Sequence, residues 1–250
     1  MVTPMSERMP ALPPVDPDRA AESAPATAVT PELLASLLAD GDDELVAWVL
    51  RSALEERSRA DVFDGLLRDA MALVGQRWRE GRWTIAEEHL ASQTLARSLE
   101  RIRDPRGPSG RTGPLAVLAG VAGEHHSIGL ICLDQVLSDV GWTVANLGAD
   151  VPATDLARFL ARNHAELVAL AASLPERGEA LRASVAAAAT VRPDDPLPVM
   201  VGGGLAGDTS RMRSLDVAWA GTSLRAAAEF AAGLLEHLAD RPAAEVAELP

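Results

Sequence analysis

Residues 114–129 read Pro-Leu-Ala-Val-Leu-Ala-Gly-Val-Ala-Gly-Glu-His-His-Ser-Ile-Gly. The apolar run from Pro114 to Val121 is short, small-residue rich and closed by glycine, as a buried strand is, whereas Ile128 to Val140 is apolar at helical spacing. The intervening Gly123-Glu124-His125-His126-Ser127-Ile128-Gly129 therefore sits on a strand-to-helix turn. In an open α/β sheet such turns line the crevice at the carboxyl ends of the strands, where ligands bind. A histidine placed there points at the ligand.

Downstream, the same rhythm repeats. Strands are expected at Leu115 to Val121, Thr143 to Leu147, Leu167 to Ala172, Val199 to Val201 and Val217 to Ala220. Helical patterns at 128–140, 153–163, 178–190 and 222–239 separate them, and Leu205 to Ser214 is too short to assign to a helix. Strands alternating with helices of this length imply right-handed crossovers and a parallel sheet covered on both faces, a Rossmann-like domain over 114–240.

Upstream, the pattern is helical throughout. Thr30 can cap a helix opened by Pro31 and closed by Gly41, with Leu33, Leu34, Leu37 and Leu38 as its apolar residues. A second run takes Leu45, Val46, Val49, Leu50 and Leu54, and a third Val62, Phe63, Leu66, Leu67, Met71 and Val74. The fourth opens at Thr84 with Glu87 three residues on, a reciprocal capping arrangement, and continues to Ile102. Four helices with short turns predict a helical bundle over 30–103. Residues 104–113 read as a linker, 1–29, rich in Pro, Ala and Ser, as a disordered leader, and 241–250 as a tail.

Composition narrows the chemistry. The 250 residues carry 23 basic against 36 acidic side chains, a net charge of −13, which disfavours nucleic acid and anionic membranes as direct partners. Regulation is then expected to run through a protein partner, a transcription regulator or signalling protein, or through a homo-oligomer. Every basic residue is Arg, so a Schiff-base lysine and a phosphate-loop lysine are both excluded. One cysteine, Cys132, and no signal-like opening point to a cytoplasmic protein, and no apolar run is long enough for a membrane span.

Three strand-end signals remain. Glycine in Gly202-Gly203-Gly204, after the fourth strand, lets a ligand approach the backbone, although glycine-rich strand ends also serve as plain turns. Ser173-Leu174 occupies the corresponding loop after the third strand. No G-x-G-x-x-G follows the first strand, which disfavours a nicotinamide cofactor. Glu124 and His126 form the sharper pair, because a metal-ligating histidine usually gives its other ring N–H to a carboxylate. The same two residues also suit a solvent-facing turn. One strong ligand is too few for zinc, so a metal that arrives with most of its coordination filled fits better.

Glu-x-His-x-x-Gly at 124–129 resembles the Asp-x-His-x-x-Gly signature of cobalamin-binding domains, with Glu where many members have Asp. Continuing into Gly141-Trp142 and Asn146-Leu147-Gly148-Ala149-Asp150-Val151-Pro152, it is similar to light-sensing regulators of the CarH and LitR type. Trp78, nine residues and then Glu88-His89 resembles the motif with which those photoreceptors enclose the adenosyl face of the cofactor. The likeness spans about 30–240 and departs at Ala171, where a Ser is frequent and Ser173 follows two places later.

The resemblance implies an α/β protein, a four-helix bundle cap followed by a Rossmann-like (flavodoxin-like) cobalamin-binding domain. It implies His126 as the lower axial ligand of cobalt, Glu124 behind it, and Trp78, Glu88 and His89 over the adenosyl group. His125, Ser127, Ile128, Gly129, Ser173, Leu174, Gly202, Gly203, Gly204, Gly221 and Thr222 are implied as further cofactor contacts. The cofactor implied is adenosylcobalamin, with methylcobalamin or hydroxocobalamin as alternatives. The role implied is a standalone, non-enzymatic light sensor or regulator that lacks a DNA-binding module. A corrinoid carrier of a methyltransferase system is the alternative.

Overall fold

The computed structural model describes residues 29–103 and 113–240. The leader expected at 1–29, the linker at 104–113 and the tail at 241–250 lie outside the described residues, apart from residues 29 and 113. The bundle begins with α1 (Pro31–Asp40) and α2 (Asp43–Glu56). A continuous helical stretch follows, made of α3 (Arg59–Val62), a π-helical turn (Phe63–Leu67) and α4 (Arg68–Arg79). The bundle ends with α5 (Ile85–Arg101). Local chemistry sets the ends. Thr30 accepts from the Leu33 N–H, Gly41 closes α1 at φ +81°, and Thr84 with Glu87 forms the capping box.

The second domain runs β1 (Leu115–Gly120), α6 (Ile128–Asp139), β2 (Thr143–Asn146), α7 (Ala153–Asn163), β3 (Leu167–Ala171), α8 (Gly178–Ala189), β4 (Val199–Gly202), α9 (Thr209–Met212), β5 (Trp219–Ala220) and α10 (Leu224–Ala239). All pairings are parallel and the strand order is β2-β1-β3-β4-β5. This is the flavodoxin-like order, whose reversal point lies between β1 and β3. Alternate residues of each strand face opposite layers. Ala116, Leu118, Leu167, Ala169 and Met200 pack on one side with α6 and α10, and Val117, Ala119, Val168 and Leu170 pack on the other with α7 and α8.

The bundle docks on the α6 and α10 side. Cys132 and Val136 of α6 join the bundle core, with Ile128, Ile131, Leu224 and Ala228 packed against it. Polar contacts fix the register: Arg59 donates to Gln135 and Asp139, Gln135 to the Leu99 carbonyl, and Arg103 to Asp134. Asp64, in the π turn, accepts from the Ser223 hydroxyl (2.7 Å) and from the Leu224 and Arg225 backbone N–H groups (2.8 and 3.0 Å). A side chain of one domain thus caps the last helix of the other. That helix starts at Leu224, not at 222, because Ser223 is its N-cap and Asp64 occupies the free N–H groups ahead of the first turn. Among the described residues no helix is long and apolar enough to cross a membrane.

Candidate functional site between bundle and sheet

The turn after β1 is held by the loop after β2. Asp150 accepts from the Gly123 N–H (2.6 Å) and gives its own N–H to the Glu124 carbonyl (2.9 Å), while Val121 and Val151 form a parallel bridge. Asp150 adopts φ +58°, a left-handed conformation that a short polar side chain tolerates. Gly123 has φ +76°, a left-handed conformation that favours glycine, and a Cβ there would displace the Arg177 guanidinium. The Asn146 to Pro152 stretch therefore acts at the site by clamping the turn that carries Glu124.

Glu124 is fully buried, and each of its oxygens is used. One accepts from the His126 backbone N–H (2.9 Å) and meets His126 Nδ1 (2.5 Å), and the other accepts from the Ser173 N–H (2.5 Å). Burial alone would push this carboxyl up, but the N–H groups of His126 and Ser173 and the His126 ring outweigh it, and the net shift is downward. With Nδ1 engaged by the carboxylate, Nε2 is the ring nitrogen left to ligate. The His126 side chain is 64% exposed, and it lines a cavity of about 790 Å³ between the two domains.

The cavity lies at the carboxyl ends of β1, β3, β4 and β5, over the reversal point of the sheet. His125, His126, Ser127, Ile128 and Gly129 form one wall, and Ser173, Gly202, Gly203, Gly204, Gly221 and Thr222 another. A slot runs down between the sheet and α6 and α10, where Ala169, Ala171, Met200, Trp219 and Ala227 line it. The three alanines keep that slot open beside Met200 and Trp219. From the bundle come Phe63, Leu67, Arg68 and Met71 on one side and Glu88, His89, Ser92, Gln93 and Ala96 on the other, the latter at the spacing of one face of α5.

The glycines divide by cause. A Cβ on Gly203 or Gly204 would strike the Ala172 or Ser173 carbonyl oxygen at 2.6 or 2.4 Å, so these two allow the β4 loop to pass the β3 loop. Gly129 has nothing within 4 Å of where its Cβ would be and stands in the first turn of a helix, where glycine is costly. Its missing side chain serves the cavity.

Two expected residues stand apart. Trp78 is 46% exposed and does not line the cavity, although it lies seven residues, two helical turns, beyond Met71 on the same side of the helix. Leu174 is exposed and also outside the lining. The sequence does not place Phe63, Leu67, Arg68, Met71, Ser92, Gln93, Met200, Trp219 or Cys132 at the site, where they also line the cavity. The α5 members could have been found, because they continue from His89 at helical spacing. The others needed the docking of two domains. Burial pushes the Cys132 thiol up to about 12, so it presents a neutral thiol to the cavity and not a competing thiolate.

Among the described residues no group of three or more His, Cys, Asp or Glu side chains could hold a metal ion. A single oriented imidazole facing a large cavity instead fits a metal whose equatorial positions are already filled, as in a corrin. The apolar slot beneath suits an extended organic tail.

Comparison with known proteins agrees. The chain is similar to the HTH-type transcriptional repressors CarA and CarH of Myxococcus xanthus, 37% identical over 130 residues and 32% identical over 165 residues. These matches cover 49% and 66% of this chain but 41% and 54% of the relatives, so the chain spans about half the length of the curated relatives it matches. The structure of the Methanosarcina barkeri monomethylamine corrinoid protein superposes with a TM-score of 0.65 at 17% identity, covering 80% of this chain and 96% of that one. That likeness speaks for the fold alone. Two family matches, each described as a B12 binding domain, fall on residues 32–103 and 114–231, the bundle and the sheet domain, and together take in well over half of the chain. With a helical cap domain and a flavodoxin-like domain each matched in turn, the chain belongs to the B12-binding domain family.

Proposed function

We propose that this chain is a cobalamin-binding light sensor and regulator that takes adenosylcobalamin with His126 as lower cobalt ligand and signals through a protein interface. The observation that carries the reading is the His126 imidazole, fixed through Nδ1 on the buried Glu124 and open through Nε2 to a cavity roofed by the bundle. Bound adenosylcobalamin would supply a cobalt–carbon bond that visible light can break.

The chain's own residues do the rest. Glu124 holds the His126 ring in place through Nδ1. Gly129, Ser173, Gly202 to Gly204, Gly221 and Thr222 shape the tail slot. Glu88 and His89 cover the upper side. Loss of the group beneath them would leave the α5 face unsupported and bias the bundle towards a second position on α6 and α10, altering a surface offered to a partner or to another copy.

The test is to add adenosylcobalamin in darkness, illuminate, and follow the visible spectrum together with oligomer size. A spectral change accompanied by a change in size is expected, and an unchanged spectrum removes the light-sensing claim. Retention of methylcobalamin with methyl transfer to a thiol acceptor, and no response to light, would assign the chain to the corrinoid carriers instead.

Gly129 gives a prediction that separates site from scaffold. Gly129→Ala should stabilise the protein by up to about 1 kcal/mol through helix propensity, and Gly129→Leu should fold comparably. The leucine variant should lose at least tenfold in cobalamin affinity, because its side chain fills space that nothing in the protein uses. Thermal melts and equilibrium binding check both halves.

A further inference from the structure

The slot between the sheet and α10 has a pattern of its own. Ala169, Met200 and Trp219 stand side by side on β3, β4 and β5, because the register pairs Ala169 with Met200 and Met200 with Trp219. Two residues further along the same face come Ala171, Gly202 and Gly221, which add one methyl group between them. A Cβ on Gly202 would find nothing nearer than the Gly221 carbonyl oxygen at 4.0 Å, whereas one on Gly221 would lie 2.7 Å from Trp219 Cζ2. The Trp219 ring therefore leans over Gly221 and borders a flat apolar bed at the strand ends.

The polar inventory of that bed is short. Of the slot side chains Ala169, Ala171, Met200, Trp219 and Ala227, only Trp219 carries an N–H or O–H donor. Trp142 gives its indole N–H to the Ala231 carbonyl (3.1 Å), but the Trp219 indole N–H has no acceptor among the described residues and is not enclosed by protein. An indole in a packed site normally finds a partner. A cobalamin tail brings one: its base binds cobalt through a ring nitrogen, and once His126 holds that position the nitrogen keeps a bare lone pair. Buried in an apolar slot without a donor, such a lone pair lowers affinity about tenfold.

We propose that the slot selects corrinoids by the base on their tail and favours a benzimidazole, with Trp219 as the selecting residue, its indole N–H donating to the ring nitrogen that His126 displaces from cobalt. This deepens the cobalamin reading above and rests on it. A benzimidazole offers that single acceptor and is otherwise apolar. An adenine base adds an amine and two further ring nitrogens, for which the slot side chains hold no partner. A phenolic base has no ring nitrogen and leaves the indole N–H unpaired.

The test measures the hydroxo forms of cobalamin, adeninylcobamide, phenolylcobamide and tail-less cobinamide by equilibrium dialysis against the full chain in darkness. Ratios between native and variant chains cancel each corrinoid's own cost of detaching its base. Trp219→Phe should lower cobalamin affinity about tenfold relative to phenolylcobamide and leave cobinamide unchanged. Adding Ala171→Ser to that variant returns a hydroxyl to the slot and should restore most of the loss. In the otherwise native chain, Ala171→Ser should improve adeninylcobamide about fivefold relative to phenolylcobamide. Should Trp219→Phe not fold, the absence of that gain overturns the selection. Equal losses of cobalamin and phenolylcobamide in Trp219→Phe, with no rescue by serine, reduce Trp219 to packing and overturn it too, while the cobalamin reading stands. A native chain that binds none of these corrinoids overturns both.

Discussion

His126→Ala should reduce cobalamin affinity by about 100-fold or more, and the corrinoid should wash out on gel filtration, whereas His125→Ala should bind within a few-fold of the native chain. Removing an outer partner of a metal ligand typically costs about 10- to 100-fold, so removing the ligand itself exceeds that range. The two histidines are neighbours at the same cavity wall, but only His126 has its Nδ1 on a buried carboxylate. Fold stability should hardly change in either variant. Both side chains are exposed, and in His126→Ala the carboxylate keeps the backbone N–H groups of residue 126 and Ser173. Glu124→Ala makes the contrast: it leaves those partly buried N–H groups without their acceptor and should cost about 1–3 kcal/mol of stability as well as affinity. Equal losses from His125 and His126 substitutions would mean that the register of the turn has been misassigned.

Much of this site could be read from the residues because its parts are local. The β1 turn, the capping box at Thr84 and the helix boundaries at Pro31 and Gly41 each depend on residues a few positions apart, and the expected strands agree with the observed ones to within two residues. Glu124 and His126 meet at a separation of two, so spacing alone could pair them. What was not legible is what two distant segments do together. Ser173 was noted as a loop residue, but its contribution is a backbone N–H given to Glu124 across 49 positions, which no side-chain pattern encodes. Trp78 reads as part of the site by its distance from Glu88 and His89, yet the helix carries it past the lining, two turns beyond Met71. The π turn at Phe63–Leu67 has no signature in composition, because one extra residue in a helical turn leaves the apolar pattern almost unaltered. It nevertheless changes the phase of the helix, and Asp64 stands within it.

That turn presents Asp64 to three groups of the other domain, and with it comes the last prediction. Asp64 caps α10 from the other domain, and Arg68, which lines the cavity, pairs with Asp64 and also donates to the Thr222 carbonyl. Asp64→Ala should therefore remove a helix cap and leave the partly buried Leu224 N–H without its acceptor, a loss of about 1–3 kcal/mol in all. It should do so at the junction and not in either core. Denaturant unfolding followed by helical and by tryptophan signals should change from one transition to two, as the bundle and the sheet domain lose their coupling. Asp64→Asn, which keeps an acceptor oxygen but no charge, should fall between.

Acid should reproduce part of the effect. Burial pushes the Asp64 carboxyl up, but the N–H groups of Arg225 and Leu224, the Ser223 hydroxyl and the Arg68 charge more than offset it and hold the group below its ordinary value. A carboxyl with a lower pKa in the folded chain stabilises fully above its unfolded value, near pH 4, and loses that stabilisation as pH falls through the folded value. The native chain should therefore begin to uncouple its domains only on the acid side of about pH 4, while Asp64→Asn, with nothing to protonate there, should lack that component of the acid sensitivity. If both chains uncouple at the same pH and to the same extent, Asp64 is not what joins the cap to the sheet.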